Sequence, residues 1–421
     1  MHSNAQPTSL IADLRALPRA FWILFAGTFI NRFGTFVWPF LAIYLTRQGY
    51  SLTAASVAVS AFAAGALLGG LTGGWLADHI GRRNTIVLGT FLSASSFMLL
   101  YTAATLPTII ACTFLAGLTS GIYHPAIGAL LADIVAPAQR VRAYAAMRAA
   151  ANAGFACGAA TGGILANYSL FWLFAGDALS TAIYGCIALL WLPHGLRTVR
   201  EKSARWGESL RHIAGDRPFV ALWISAFLAA IVYAQFASTY SLHVIRAGLT
   251  LDVFGFHIAP ETVYGLLVGW NGAFVVLAEL PLTTATLRFD PRRVMSLGYV
   301  LVAIGFAGNA LAHSIFALWV AMTIFTLGEI ISAPTTSAQV ARFAPERMRG
   351  RYMGALGLSW NLAGIIGPQI GFRLLERDPL LVWILCGTLG LAAAFTIWRF
   401  GKPSAHTLQM AGSETRSPAT I

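Results

Sequence analysis

The sequence predicts an all-α membrane protein in which twelve transmembrane helices form two pseudo-symmetric six-helix bundles. The first observation is composition: 10% of the 421 residues are charged, 57% are hydrophobic and the mean hydropathy is +0.69. Soluble domains carry about 25% charged residues, so this chain lacks the polar surface that water requires. The other two observations are a series of long apolar runs and a repeat of the first half in the second.

The apolar runs give the predicted spans. A spanning helix needs about 20 mostly apolar residues, and twelve segments of the chain meet that requirement. The predicted spans cover residues 20–45, 52–77, 84–104, 106–132, 145–166, 169–192, 218–243, 262–286, 294–312, 315–341, 352–375 and 379–400.

Basic residues predict the orientation in the membrane. Short cytoplasmic loops collect Lys and Arg, and most of the 28 basic residues fall on one side if the N-terminus is inside. Arg82 and Arg83 follow the second span, for example, and Arg292 and Arg293 follow the eighth. We expect a multi-pass protein of a bacterial-type inner (plasma) membrane with both termini cytoplasmic. The net charge of +12 reflects this orientation and contact with lipid headgroups, and no nucleic-acid partner is expected.

An internal repeat divides the chain into halves. Four residues of the first half, Pro125, Arg140, Asn152 and Gly158, recur at one constant separation as Pro334, Arg349, Asn361 and Gly367. Parallel halves of this kind are typical of transporters that expose a central site alternately to each side. The predicted segments are a cytoplasmic N-terminus (1–19), two six-helix bundles (20–192 and 218–400), a cytoplasmic linker with an amphipathic helix (193–217) and a disordered cytoplasmic tail (401–421).

A charged turn between the second and third spans is the most specific motif. It places Gly74, Asp78, Gly81, Arg82 and Arg83 at fixed spacing between two apolar runs. This segment resembles the signature that Major Facilitator Superfamily transporters carry between their second and third helices. The resemblance extends from about residue 20 to 400 and implies the major facilitator fold and a transport function.

The resemblance also implies a cytoplasmic gate at this turn. Asp78 would lie against the positive end of a helix in the opposite half, while Arg82 and Arg83 would bind carboxylates or carbonyls. Glu279, just before Pro281 in the eighth span, would belong to the same inner gate. The matching turn of the second half has Leu287 where Asp78 would map, so an asymmetric gate is expected. The alternative is a solvated turn that obeys the orientation rule.

Small residues in the fifth span resemble the G-x-x-x-G-P-x-x-G-G motif of exporters and antiporters, although Ala159 replaces its proline. Small residues four apart let helix backbones approach closely, and a proline kinks a helix. The segment suits a hinge or a tight seam between the halves; the alternative is general small-residue packing. The residues of this motif and of its copy in the eleventh span are Gly154, Gly158, Gly162, Gly163, Gly367, Pro368 and Gly371.

Few charges lie within the spans, and such charges usually face a cavity or a partner. The resemblance implies that the first, fourth, seventh and tenth spans line the cavity, which favours Arg32 and Glu329 as proton-coupling residues. The arginine that many drug exporters carry in the fourth span is replaced by Thr113. Alternatives stay open: Arg32 as a structural clamp, Glu329 as a fixed structural partner, and a hydrogen-bonding role for Asp177.

Aromatic and amide side chains in the spans are candidates to line the cavity. They suit a lipophilic or amphipathic substrate, and they would equally suit packing against lipid or other helices. His124 is included, although a lone histidine beside a proline is more often a packing group. The candidates are Asn31, Phe36, His124, Tyr233, Gln235, Tyr240, Trp270, Asn271, Trp360 and Asn361.

Together these features predict a secondary active transporter that resembles the drug:proton antiporters of the superfamily. It would export lipophilic or amphipathic small molecules by alternating access, using the proton gradient and no cofactor or metal, as a monomer in the bilayer. The alternative is a carrier of one defined metabolite, such as a sugar, amino acid or siderophore. The sequence contains no HExxH, no GxSxG and no nucleotide-binding loop, so no enzyme activity is expected.

Overall fold

A computed structural model of the chain describes residues 16–136, 139–194, 212–253, 256–344 and 348–402. Long helices and one short strand pair make up its main elements. In chain order they are α1 Arg19–Phe33, α2 Val37–Arg47, α3 Leu52–His79, α4 Arg82–Thr102, α5 Leu106–Ile134, α6 Arg140–Tyr168, α7 Phe171–Trp191, α8 Arg217–Phe236, α9 Thr239–Arg246, β1 Leu251–Val253, β2 Phe256–Ile258, α10 Pro260–Thr286, α11 Pro291–Gly308, α12 Ile315–Phe343, α13 Arg349–Arg377 and α14 Pro379–Phe400, with a 3₁₀ turn at Asn309–Leu311.

Eleven helical segments of the described residues are long and apolar enough to cross a membrane, and each coincides with a predicted span. The first of them, Arg19–Arg47, combines α1 and α2. The predicted span 352–375 is also a helix, α13, but it is not among the eleven. Polar residues such as Asn361 and Gln369 reduce its hydropathy. The chain is therefore a helical, multi-pass membrane protein.

Two predicted continuous spans are broken in the structure. The first span stops at Phe33 and restarts at Val37, and the seventh stops at Phe236 and restarts at Thr239. The first break has a local cause, because Pro39 has no N–H to donate to the carbonyl of the preceding turn. Proline is tolerated in the first turn of the new helix, where N–H groups lack helical partners anyway.

One connection of the otherwise helical fold contains a short strand pair. Between α9 and α10, β1 pairs antiparallel with β2, and Leu251 lies opposite Ile258. Apolar residues alternate with Asp252 and His257 in these strands, which is the period of an extended chain rather than of a helix. The strand pair is too short for its alternation to stand out from the neighbouring apolar runs.

The described helices group into two compact units whose boundaries differ from the predicted halves. The first unit comprises Met1–Arg200 with Ala237–Val276, and the second comprises Glu201–Phe236 with Leu277–Ile421. The segment that contains α9, the strand pair and most of α10 thus groups with the predicted N-terminal bundle. Most of the predicted linker (195–211), residues 1–15 and the tail from 403 lie outside the described residues.

Backbone approach between helices organises the first unit. A Cβ built on Gly65, Gly69 or Gly73 of α3 would lie 2.1 Å from a carbonyl oxygen of α5. Gly117 of α5 meets the carbonyl oxygen of Phe62 in the same way, at 2.0 Å. Small residues therefore let α3 and α5 pack backbone to backbone, as helices do in a bilayer.

Side-chain hydrogen bonds to backbone carbonyls join the helices of the second unit. Trp223 of α8 donates from its indole N–H to the carbonyl of Ala355 at 2.7 Å, and Ser225 donates to the carbonyl of Ala393 at 2.7 Å. Around them an apolar core of α8, α11, α13 and α14 includes Phe219, Met295 and Tyr352. The unit thus fixes α8 against α13 and α14.

Candidate functional site

The turn from Gly74 to Arg83 is held together by ion pairs. Gly81 has a φ of 92°, a left-handed conformation that favours glycine, and it lets α4 start directly after α3. Arg82 donates to Asp78 at 2.6 Å and to the carbonyl of Ala77 at 3.0 Å. Its Nε atom also lies 3.5 Å from a carboxylate oxygen of Asp133 in α5. Arg82 therefore connects the turn to α5, a partner that sequence reasoning missed.

Arg83 connects the same turn to the end of α7. Its guanidinium donates to the carbonyl of Leu189 at 2.6 Å and contacts the ring of His194 at 3.0 Å. A Cβ on Gly74 would meet nothing within 4 Å, so this glycine is not required by packing within the structure. The predicted contacts of Arg82 and Arg83 with carboxylates and carbonyls are present, and all of them lie within the first unit.

The matching turn of the second half is built around a different carboxylate. Leu287 is 77% exposed, whereas Asp290 caps α11 and accepts from the backbone N–H of Arg292 at 3.0 Å. Partial burial opposes ionisation of Asp290, but the hydrogen bonds and charge of Arg292 and the charge of Arg293 hold its pKa below the ordinary value. This turn is thus stabilised locally.

Asp177 of α7 caps the break in the first span. Its side chain is 3% exposed, and its carboxylate accepts a hydrogen bond from the Val37 N–H at 3.1 Å. This N–H group belongs to the first residue of α2 and has no helical partner. The fixed hydrogen-bonding role predicted as one alternative for Asp177 is what the geometry shows.

Close packing holds the same break against α7. A Cβ on Gly34 would lie 1.6 Å from the Ser180 Oγ, and one on Gly176 would lie 2.7 Å from the Phe36 ring. Asn31 adds a polar contact, since its amide nitrogen donates to Thr181 at 3.0 Å. The first span is therefore broken at the point where Asp177 of α7 caps the start of α2 and Gly176 of α7 leaves room for the Phe36 ring.

Arg32 lies next to this break. Its side chain is partly exposed, and it makes no hydrogen bond or ion pair with the part of the chain that the structure describes. It interacts electrostatically with Asp177 and with His124, which is exposed in the middle of α5. A hydrogen-bonded clamp from Arg32 to a carboxylate or to helix-end carbonyls is therefore not formed among the described residues.

The glycines of the fifth-span motif mainly face the first span. Cβ atoms on Gly154 and Gly158 would lie 2.6 and 2.1 Å from the carbonyl oxygens of Phe29 and Phe33, and one on Gly162 would lie 3.0 Å from the Phe40 ring. Gly163 alone of the four faces α10, where the carbonyl oxygen of Glu261 would be 2.8 Å away. Gly163 therefore packs against α10 within the first unit, the other three glycines pack against the first span, and a seam between the halves stays a prediction.

Polar contacts that sequence reasoning missed surround Gly163. Arg47, at the end of α2, pairs with Glu261 at the start of α10 and donates to the carbonyl of Ala166 at 3.0 Å. Asn167 donates to Thr262 at 2.8 Å. The sequence signal for this ion pair is a cation at the end of one apolar run and an acid at the start of another. These contacts join α2, α6 and α10 within the first unit.

Glu329 of the second unit lies beside an aromatic pair. Tyr233 of α8 contacts α12 on both sides of it: its ring centroid is 5.4 Å from that of Phe325, and its hydroxyl is 3.5 Å from the Ser332 Oγ. Phe325 precedes Glu329 by one helical turn and Ser332 follows it by one turn, so these three residues share a face of α12. The Tyr233 ring is also 5.1 Å from that of Trp360, which is 45% exposed. Glu329 itself is partly exposed.

The predicted cavity residues separate into buried and accessible groups. Gln235 is fully buried and donates to the carbonyl of Gly367 at 3.0 Å, and Tyr240 is fully buried near Tyr264. Buried polar groups need partners, and these contacts supply packing rather than an open surface. The buried members are Asn31, Phe36, Gln235, Tyr240 and Asn271, and the partly exposed or exposed members are His124, Tyr233, Trp270, Trp360 and Asn361.

The remaining predicted residues lie in α10 and α13. Glu279 is partly exposed and stands two residues before Pro281, which lies inside α10. Pro368 lies inside α13, and a Cβ on Gly367 would be 2.6 Å from that of Ala234 in α8; Gly371 follows one turn later. Among the described residues, no group of three or more His, Cys, Asp or Glu is placed to hold a metal ion.

Comparisons with known proteins agree with this architecture. A family model of the Major Facilitator Superfamily matches residues 24–259 and 254–420. A Na(+), Li(+), K(+)/H(+) antiporter of Planococcus maritimus is 26% identical over 404 residues, covering 88% of this chain and 93% of that protein. Multidrug resistance protein MdtH of Aeromonas hydrophila is 28% identical over 337 residues, covering 76% of this chain and 80% of that protein.

The fold also resembles solved structures. The crystal structure of a POT family transporter in complex with 5-aminolevulinic acid superposes with a TM-score of 0.77. The alignment covers 91% of this chain and 96% of that chain at 16% identity. At this identity the likeness shows the fold alone.

Proposed function

Because the chain belongs to the Major Facilitator Superfamily of membrane transporters, we propose that it exports lipophilic or amphipathic compounds in exchange for protons. In this proposal α13 crosses the membrane together with the eleven apolar segments. The twelve spans then form two six-helix bundles in a bacterial inner membrane, with both termini in the cytoplasm. The basic residues of the turns on that side support the orientation.

The placement of Glu329 is the observation that carries the proposal. A carboxyl group within a span is costly unless it faces a cavity or a partner. Glu329 is partly exposed, and the aromatic pair of Tyr233 and Trp360 lies on the same side of α12. One location therefore combines a group that can carry a proton with apolar surface that can bind a flat, lipophilic compound.

Exchange follows from competition at this location. When Glu329 is protonated it is neutral, so the carrier can change between its outward-facing and inward-facing conformations at low cost. Loss of the proton leaves a carboxylate that attracts the positively charged group of a cationic or zwitterionic substrate into the aromatic site, so proton and substrate occupy the site in turn. Arg32, the second predicted coupling residue, supplies the opposite charge in the first unit.

The turn at 74–83 is proposed as part of the cytoplasmic gate. Arg82 holds Asp78 next to α5, and Arg83 fixes the turn to α7, so the turn moves with these helices. Breaking and remaking contacts of Asp78 with the other half would then accompany opening. Glu279, close to Pro281 in α10, is proposed to belong to the same gate.

The relatives support the class of transport. One matched protein is named as a cation/proton antiporter and another as a multidrug resistance protein. Exchange for protons and export of several compounds are both represented among proteins of similar sequence. For this chain both remain part of the proposal.

Proton release from everted membrane vesicles tests the proposal. Vesicles energised to an acidic interior would receive a panel of lipophilic cations, neutral drugs and common metabolites while a pH-sensitive dye reports the internal pH. Proton exit triggered by several unrelated drugs is the expected result. A response to one metabolite alone would replace multidrug export with a carrier for that metabolite. If no compound of the panel triggers proton exit although folded protein is present, proton antiport is refuted.

A further inference from the structure

The side chain of Arg32 carries a charge but is in no ion pair with the described part of the chain. It belongs to the last but one residue of α1, within the first membrane segment, and it makes no hydrogen bond there, although it interacts electrostatically with Asp177. A cation without an ion pair inside a span is costly unless water or an anion reaches it. The Arg32 side chain is partly exposed.

The polar groups nearest to Arg32 are already engaged with one another. Asp177 accepts from the backbone at the start of α2, including the Val37 N–H at 3.1 Å. Asn31 donates to Thr181 at 3.0 Å and accepts from the Tyr123 hydroxyl at 3.3 Å. These hydrogen bonds of Asp177 and Asn31 hold the helix break, and the Arg32 side chain takes part in none of them.

An exposed aromatic ring lies near Arg32. It belongs to His124, which interacts with Arg32 electrostatically and whose ring lies 4.7 Å from that of Tyr123, itself 5% exposed. On the side of α6, Gly154 brings its backbone against α1, since a Cβ there would be 3.0 Å from the Arg32 Cβ. The position therefore offers positive charge next to aromatic surface.

We propose that the Arg32 guanidinium binds an anionic group, such as a carboxylate, of the transported compound. The proposal rests on the proposed transport function and narrows its substrate class to amphipathic aromatic zwitterions. A guanidinium presents two parallel N–H groups to a carboxylate, a geometry that an ammonium group does not reproduce. The exposed ring of His124 would lie against the aromatic part of the same compound.

Two dyes that differ by one methyl ester provide the probe. Rhodamine 110 has a free carboxylate at neutral pH, and rhodamine 123 is its methyl ester with the same aromatic rings. Binding of each dye to the purified full chain in detergent would be followed by fluorescence anisotropy. The variants are Arg32→Gln, Arg32→Lys and, as a matched control, Arg377→Gln at the exposed end of α13.

Loss of a hydrogen bond to a charged group weakens binding by about tenfold to a hundredfold, which sets the expected effect. Wild type should bind the acid at least about tenfold more tightly than the ester. Arg32→Gln should lose this preference with ester binding unchanged, Arg32→Lys should retain part of it, and Arg377→Gln should keep it. Gel filtration of each variant reports whether it remains folded.

Three results would overturn the proposal: a wild type that does not prefer the acid, an Arg32→Gln variant that weakens both dyes equally, or an Arg32→Lys variant that behaves as Arg32→Gln. The measurement uses no proton gradient. A preserved acid preference without drug-driven proton exit from vesicles would therefore refute the proposed antiport and leave the Arg32 site standing.

Discussion

The cap on the broken first span can be tested by removing its carboxylate. Asp177→Ala leaves the Val37 N–H without its acceptor, in a position where Asp177 is 3% exposed. An unsatisfied buried donor costs about 1–3 kcal/mol. Asp177→Asn is the matched control because its amide oxygen still accepts one hydrogen bond. We therefore expect the alanine variant to lose clearly more stability than the asparagine variant.

Thermal unfolding in detergent, followed by tryptophan fluorescence, measures this difference. The apparent Tm of Asp177→Ala should fall by at least about 2 °C, given about 2–4 °C for each kcal/mol in a domain of this size. Asp177→Asn should fall between that variant and wild type. An alanine variant that melts together with wild type would refute the claim that Asp177 holds the break.

Substitutions at three further places, with matched controls at two of them, probe other contacts. Arg82→Ala should slow transport and lower the free energy of unfolding by about 1–3 kcal/mol, measured by thermal unfolding. Asp133→Asn should have smaller effects because Arg82 keeps its other partners, and equal effects of the two variants would contradict this prediction. Gly158→Ala should reduce the yield of monodisperse protein in gel filtration because its Cβ would lie 2.1 Å from a carbonyl oxygen, whereas Gly128→Ala, with nothing within 4 Å, should not. The pKa of Asp290 is lower in the folded protein than in the unfolded chain, where it is about 3.9. The carboxylate therefore stabilises the fold fully above that unfolded-state pKa, and the stabilisation is lost as pH falls through the folded-state pKa. Asp290→Asn should flatten that part of a stability–pH curve, and an unchanged curve would contradict this prediction.

Composition and periodicity predicted the spans because an apolar run of sufficient length has few other stable states. They predicted neither break, because the break in the first span depends on Asp177, which is remote in sequence, as well as on the nearby Pro39. They also missed the strand pair, whose alternation is short and adjoins longer apolar runs. Local signals therefore located the helices, and tertiary partners decided where the helices stop.

The candidate site was predicted unevenly for the same reason. Resemblance to the superfamily signature identified the turn at 74–83, but Asp133 as a partner of Arg82 required the packing of α5 to be known. Residue type alone could not separate Trp360, which is exposed, from Tyr240, which is fully buried. Both are aromatic residues of predicted spans, and only the three-dimensional arrangement distinguishes a lining residue from a packing one.

The central claim is that Glu329 carries the exchanged proton, and its amide variant tests that claim most directly. Drug-triggered proton exit would be recorded from acid-loaded everted vesicles that contain wild type, Glu329→Gln or Glu376→Gln, the last a carboxylate at the exposed end of α13. Glu329→Gln should abolish proton exit while the purified variant still binds the drug, and Glu376→Gln should behave as wild type. Unchanged proton exit in Glu329→Gln would contradict the account.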